Sequence, residues 1–205
     1  MEAQAWLEPW SSGAPVNERL LKWEQLDKHQ ATELQAFTCT DEWPRTAKGR
    51  RLPKHPREWE WAAQRHFRTL AARLQAGETL LVGRDDENAV GAAVHLSYEQ
   101  HGDLLVATFE AGAVSTHFRN LRDRYVGDEI MAVGKAEAST RAVGSGASTL
   151  VLQGFIHEHN RASMRMAARA RWEPEGLPTP NGYQLWATAF TPNQDNPATG
   201  TRMRP

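Results

Sequence analysis

The chain has 205 residues, 40% of them hydrophobic and 24% charged, and a formal net charge of -1. These values suit a single globular domain with a substantial core. They exclude a chain that is a polyelectrolyte overall, so contact with nucleic acid or a membrane surface would need a local patch. Cys39 is the only cysteine, which excludes an internal disulfide and a cysteine metal cluster and fits a reducing compartment. No apolar run is long enough to span a bilayer, and no basic-then-apolar leader opens the sequence. A soluble, cytoplasmic protein with no membrane partner is therefore expected.

Residues 1–16 carry Pro, Gly and Ser-Ser and read as an N-terminal arm. Trp6, Leu7 and Trp10 either dock that arm on the domain or on a second subunit, as in a homodimer, or leave it a partly ordered terminus. Residues 17–26 are expected to form the first strand, and Asp27 to cap a helical stretch ending near Phe37. Residues 38–57 hold three prolines and are basic, with Arg45, Lys48, Arg50, Arg51 and Lys54. They read as a solvated surface loop, as a lid over a substrate, or as a patch for an anionic partner such as nucleic acid. Trp59, Ala63, Phe67, Leu70 and Leu74 recur at helical spacing and predict a helix over 58–76.

Strands are predicted over 78–83, 89–98 and 104–114, separated by turn residues and so antiparallel. A helix over 127–143 follows, with Met131, Gly134, Ala138 and Ala142 on a thin face that can approach a sheet closely. Residues 148–156 read as a buried strand, and 160–171 as a helix. In that helix Met164, Ala168 and Trp172 make the apolar face, and Arg161, Arg165 and Arg169 an exposed row. The alternation at 183–190 gives the last strand, and 191–205 look like a C-terminal tail. The core domain is thus 17–190.

Three local features carry more than secondary structure. Phe109-Glu110-Ala111-Gly112-Ala113-Val114 closes a long strand. Arg124-Tyr125-Val126-Gly127-Asp128-Glu129 opens a helix. Asn160 is followed by Ser163, Met166 and Trp172. In this order and separation they resemble the GNAT superfamily of N-acetyltransferases. That family has a central strand whose end splays from its neighbour and a phosphate turn of pattern Q/R-x-x-G-x-G/A. It also has an asparagine followed by a small, an apolar and a closing aromatic residue. The resemblance implies an α/β fold with a GNAT-type central mixed sheet. That sheet is mostly antiparallel with one splayed parallel pair, and has helices on both faces. It also implies acetyl-CoA as co-substrate and transfer of its acetyl group to a primary amine of a small molecule or peptide by direct attack on the thioester.

Residue by residue, Ala113 and Val114 then face the pantetheine arm, which Asn160 and Ser163 also reach. Arg124, Tyr125, Val126, Gly127, Asp128 and Glu129 form the pyrophosphate turn. The physical basis is sound, because unpaired N–H groups at a helix start attract an anion and a glycine lets the backbone come close. Three positions depart from the pattern: Glu129 replaces a small residue, Arg171 replaces the glycine before the aromatic, and Ala167 stands where a tyrosine often serves as acid. Asp128 and Glu129 oppose a pyrophosphate unless their side chains point away.

Acetyl transfer to an amine needs a route for its proton and stabilisation of the developing oxyanion. Glu110, a carboxylate in an otherwise apolar strand, is the first choice as base, with the solvent face as the alternative. His157, and His159 beside it, lie where a strand end meets ligands and suit proton shuttling. His157-Glu158-His159 lacks a third metal ligand, so no metal is expected. Two other functions remain open: a toxin-like acetyltransferase acting on aminoacyl-tRNA through the basic loop and arginine row, and a non-catalytic acyl-CoA-binding module.

Overall fold

The computed structural model describes residues 20–119 and 125–192. The expected arm and all but the first two residues of the tail lie outside them, as does Arg124. Seven strands form one sheet: β1 (Lys22–Leu26), β2 (Thr79–Arg84), β3 (Val90–His101), β4 (Leu104–Val114), β5 (Thr149–His157), β6 (Glu173–Glu175) and β7 (Tyr183–Phe190). Their spatial order is β1-β2-β3-β4-β5-β7-β6. Among the described residues only β4 and β5 run parallel; every other neighbouring pair of these strands is antiparallel. The helices are α1 (Glu58–Arg73), α2 (Val126–Ser145) and α3 (Arg161–Arg169), with a 3-10 helix at Gln30–Ala36.

Alternation along β2 and β3 assigns the helices to opposite faces. Leu80, Val82 and Ala93 pack with Phe67 and Leu70 of α1 and Leu34 of the 3-10 helix. Leu81, Ala92 and Val94 pack with Val126, Ile130 and Val133 of α2. This is the mixed sheet with a parallel pair and helices on both faces that the resemblance implied. The thin face of α2 is as expected, with Met131, Ala138 and Ala142 buried. At Gly134 a Cβ would overlap the Phe109 ring, so the glycine sets how closely α2 approaches β4.

Several expectations are corrected. The first strand starts at Lys22, and residues 17–19 of the expected span lie outside the described ones. The 58–76 helix stops at Arg73, because the Gln75 N–H donates to Glu78 Oε2 (2.8 Å) instead of continuing the helical ladder. In α3 the buried residue is Ala167, at 1% exposure, while Ala168 faces out. The end of that helix turns through Arg171, whose φ of 61° is left-handed. That conformation explains why a glycine suits the position.

Candidate active site

The site begins where β4 and β5 part. Their parallel register runs from Leu104↔Thr149 to Phe109↔Gly154 and ends there, although both strands continue. On its other side β4 stays paired with β3, but the register passes from Leu96↔Phe109 to His95↔Ala111. Glu110 is the extra residue, a β-bulge of the kind that re-aims side chains. The bulge swaps the alternation. Leu105, Ala107 and Phe109 pack in the core beneath α2, whereas Ala111 and Ala113 pack with the α1 cluster. The β5-facing edge of residues 110–114 is thereby open to a ligand.

Two adjoining cavities follow that edge. The smaller, about 230 Å³, is lined by Glu110, Ala111, Trp59 and His66 of α1, His157 and Tyr183. The larger, about 570 Å³, runs past Ala113 and Val114 to Tyr125, Val126 and Gly127, with Arg165 and Arg169 at its wall. Gly112, Ile130, Asn160, Ser163 and Met166 belong to both, so the space is one groove.

The α2 start fits an anion. The N–H groups of Val126 and Gly127 precede the first bond of the helix, which the Asp128 N–H donates to the Tyr125 carbonyl (2.8 Å), and the two acids in its first turn are engaged elsewhere. Glu129 Oε1 accepts from the Leu20 N–H (2.8 Å) and Oε2 from Trp23 Nε1 (3.1 Å), which ties it to the first strand. Asp128 accepts from Arg169 Nη2 (2.7 Å) and Nε (3.1 Å). Neither acid lines the larger cavity. At Gly127 a Cβ would meet Met166 Sδ at 2.9 Å, so the glycine lets the flexible Met166 side chain of α3 lie against the start of α2. Asn160 caps α3, its Oδ1 accepting from the Ser163 N–H (3.2 Å).

On the other arm of the groove, Glu110 is exposed and Oε1 accepts from Ser97 Oγ (2.6 Å). His157 is 4% exposed. Its ring stacks on Trp59 (4.9 Å between centroids, 27°) and takes Tyr183 edge-on (5.0 Å). Nδ1 accepts from the His159 N–H (3.2 Å), which leaves the proton on Nε2, 3.5 Å from Glu58 Oε1. Burial, with Glu58 second, pushes the Tyr183 phenol up, so it stays protonated. His159 itself is exposed at the turn. Cys39 lines the larger cavity, but burial pushes its thiol up to about 12, which makes it a poor nucleophile. Among the described residues no group of three or more His, Cys, Asp or Glu could hold a metal ion.

The exposed basic residues Arg45, Lys48, Arg50, Arg51 and Lys54 line neither cavity. Their loop folds on itself, with Trp43 donating to the Leu52 carbonyl (2.7 Å) and packing edge-on against Trp61.

Sequence reasoning missed three groups and left a fourth open. Trp59, one of the N-terminal aromatics that could either line an acceptor pocket or be core, stands at the cavity. Tyr183 reads as a strand residue only. His66 and His95 are hydrogen-bonded across 29 positions. His95 carried a usable signal, a lone ionisable group in the apolar run VGAAVHLSY, the same signal that singles out Glu110.

Neither the family models nor the curated proteins give a match to this sequence. Solved structures do resemble it. One is nourseothricin acetyltransferase, with 16% identity, 84% of this chain and 99% of that chain covered, and a TM-score of 0.49. Another is a GNAT superfamily phosphinothricin acetyltransferase from Sinorhizobium meliloti in complex with AcCoA, with 14% identity, 91% and 94% covered, and a TM-score of 0.48. A third is the spermidine/spermine N-acetyltransferase SpeG from Vibrio cholerae, with 9% identity, 84% and 93% covered, and a TM-score of 0.45. From its own topology, with the splayed β4–β5 pair and α2 starting at the groove, the fold is of the GNAT type.

Proposed function

We propose that the protein is an acetyl-CoA-dependent N-acetyltransferase acting on a small amine. The observation that carries the reading is the groove along the open edge of β4, with the start of α2 at one end and Glu110, His66 and His157 at the other. Residues 113 and 114 and Asn160 would hold the pantetheine arm, the first by strand-edge hydrogen bonds. The α2 start would hold the pyrophosphate, aided by Arg165. The nourseothricin, phosphinothricin and spermidine/spermine enzymes are named for small amine-bearing acceptors, which agrees with the size of the smaller cavity.

Bound acetyl-CoA supplies an acyl group activated as a thioester. Glu110 takes a proton from the entering ammonium, directly or through water, and the neutral amine is then the nucleophile. Trp59 and Tyr183 give the acceptor an apolar and aromatic wall. The described residues lining this cavity include a carboxylate but no lysine or arginine. An amine without a carboxylate of its own therefore suits it best.

Calorimetry with acetyl-CoA, followed by mass spectrometry of a panel of polyamines and monoamines, tests the proposal. Expected are binding and acetylation of at least one cationic amine without a carboxylate. No binding removes the reading. Binding without turnover across the panel supports the non-catalytic module instead, and salt-sensitive retention of tRNA supports the aminoacyl-tRNA reading.

A further inference from the structure

On the α1 side of the smaller cavity, three titratable side chains from three elements form a line. His66 of α1 lines the cavity. Its Nε2 lies 3.0 Å from Nδ1 of His95 in β3, and His95 Nε2 lies 3.2 Å from Oε2 of Glu78. His95 is 4% exposed in the middle of the sheet, between Leu80 of β2 and Ala111 of β4. Glu78, just before β2, is 20% exposed at its side chain and so reaches water. The line therefore connects the acceptor cavity to the surface along the α1 face of the sheet.

The hydrogen bonds fix the resting protons. Glu78 Oε2 also accepts from the Gln75 N–H (2.8 Å), so it is an acceptor toward His95 as well. His95 then carries its proton on Nε2 and accepts at Nδ1, and His66 must donate from Nε2. The remaining nitrogen of His66, Nδ1, is left as a lone-pair acceptor. Both rings are neutral. Burial, then Arg73 and His95, push His66 down to about 3. Burial also pushes His95 down, with Arg73 acting the same way against the pull of Glu78 and Glu110. A neutral imidazole has one N–H and one lone pair, which is the state that passes a proton on without storing it.

We propose that His66, His95 and Glu78 form a proton relay that serves the acceptor cavity as base and then as acid within one turnover, a role that rests on the N-acetyltransferase reading. An ammonium must lose two protons before it becomes an amide. The first goes to Glu110 and on to water, leaving the free amine. The second leaves the nitrogen after its bond to the acetyl carbon has formed. It enters at His66 Nδ1, while the His66 Nε2 proton moves to His95 Nδ1 and the His95 Nε2 proton moves to Glu78. When the carbon–sulfur bond breaks, the same shift runs backward and a proton passes from His66 Nδ1 to the departing thiolate. The resting tautomers are restored, one proton has gone from nitrogen to sulfur, and one has gone to solvent. The relay thus supplies the acid that the buried methyl of Ala167 cannot.

Two-bond proton–nitrogen correlation spectra of the intact protein labelled with 15N-histidine read the resting state without any turnover. Both rings are expected neutral and protonated at Nε2 at pH 7; an Nδ1-protonated or charged ring at either position overturns the relay. In kinetics, His95→Leu is expected to lower kcat by roughly 100-fold. The acetyl-CoA KM should hold, while the solvent isotope effect and the pH profile of kcat change. Glu78→Ala, at a partly exposed position, should give a smaller loss in the same sense and covers the case in which His95→Leu does not fold. Wild-type kcat and pH profile in either folded variant sink the relay and leave the enzyme standing. A wild-type protein that binds acetyl-CoA yet acetylates no amine sinks the enzymatic reading, and the relay's task with it.

Discussion

The two ends of the groove are made from different material. The larger cavity joins a strand end and a helix start, residues 112–114 and 125–127, to walls from the start of α1 and from α3 that include Arg57, Arg165 and Arg169. The smaller cavity is built from side chains that α1, β4, β5 and β7 bring together from 59, 110, 157 and 183. Backbone recognition tolerates substitution, because N–H groups at a helix start are present whatever the side chains are. Side-chain chemistry does not, because each proton-carrying group is held by a particular partner, as Ser97 holds Glu110. Substitutions at the smaller cavity should therefore act on turnover, and those around the larger one on stability.

The sharpest way to break that contrast is Glu110→Gln. It is expected to lower kcat by roughly 100-fold and to leave acetyl-CoA binding, read by calorimetry, unchanged. A matching loss of acetyl-CoA affinity would mean that the two ends are not separable.

Acid should also act through the acceptor side. Unfolded histidine binds a proton near 6.5, whereas His66 in the folded protein does not until about 3. The unfolded state therefore holds more protons in this window, and stability falls as pH drops from 6.5 toward 3. The groups around His66 are Arg73 on its own helix and His95 on β3, and behind His95 lie Glu78 and Glu110. Urea titrations of His66→Phe at a series of pH values should show a shallower slope than the wild type.

Glu129→Ala probes the cofactor side. It removes two charge-assisted hydrogen bonds, from Trp23 of β1 and from Leu20 just before it, and should cost about 2 kcal/mol in urea unfolding. Acetyl-CoA affinity should change little, since the carboxylate already points away from the groove. The smallest effect belongs to Arg171→Gly, which relieves a left-handed residue and is expected to stabilise by about 0.5–1 kcal/mol. A melting curve suffices to read it, and a destabilisation there would show that the Arg171 side chain has a role of its own.

The same division decides what could be read from the sequence. Element order, the strand 104–114, the thin face of α2 and the Asn160 cap all depend on local periodicity and capping, and each is visible within a dozen residues. The end of β4 and the start of α2, which flank the motif stretch, were legible for that reason. The fate of Asp128 and Glu129 was not, because their partners Arg169, Leu20 and Trp23 lie 41 to 109 positions away. The bulge at Glu110 was hidden as well. It shows only in the register with β3, and it reverses which face residues 111 and 113 take. Trp59 stayed open between pocket and core, because helical spacing reports a shared face but does not say whether that face meets a sheet or a cavity.

The bonds from Glu129 to the first strand have a consequence for regulation. They tie β1 to the first turn of α2, the turn proposed to hold the pyrophosphate. If β1 peels away, a carboxylate regains freedom within the first turn of α2, where it competes with any anionic ligand. Occupying the site and holding the edge strand must then favour each other by the same free energy. On the proposed reading, slower amide hydrogen exchange across Lys22–Leu26 is then expected when acetyl-CoA is bound, and unchanged exchange would show that the two are not linked.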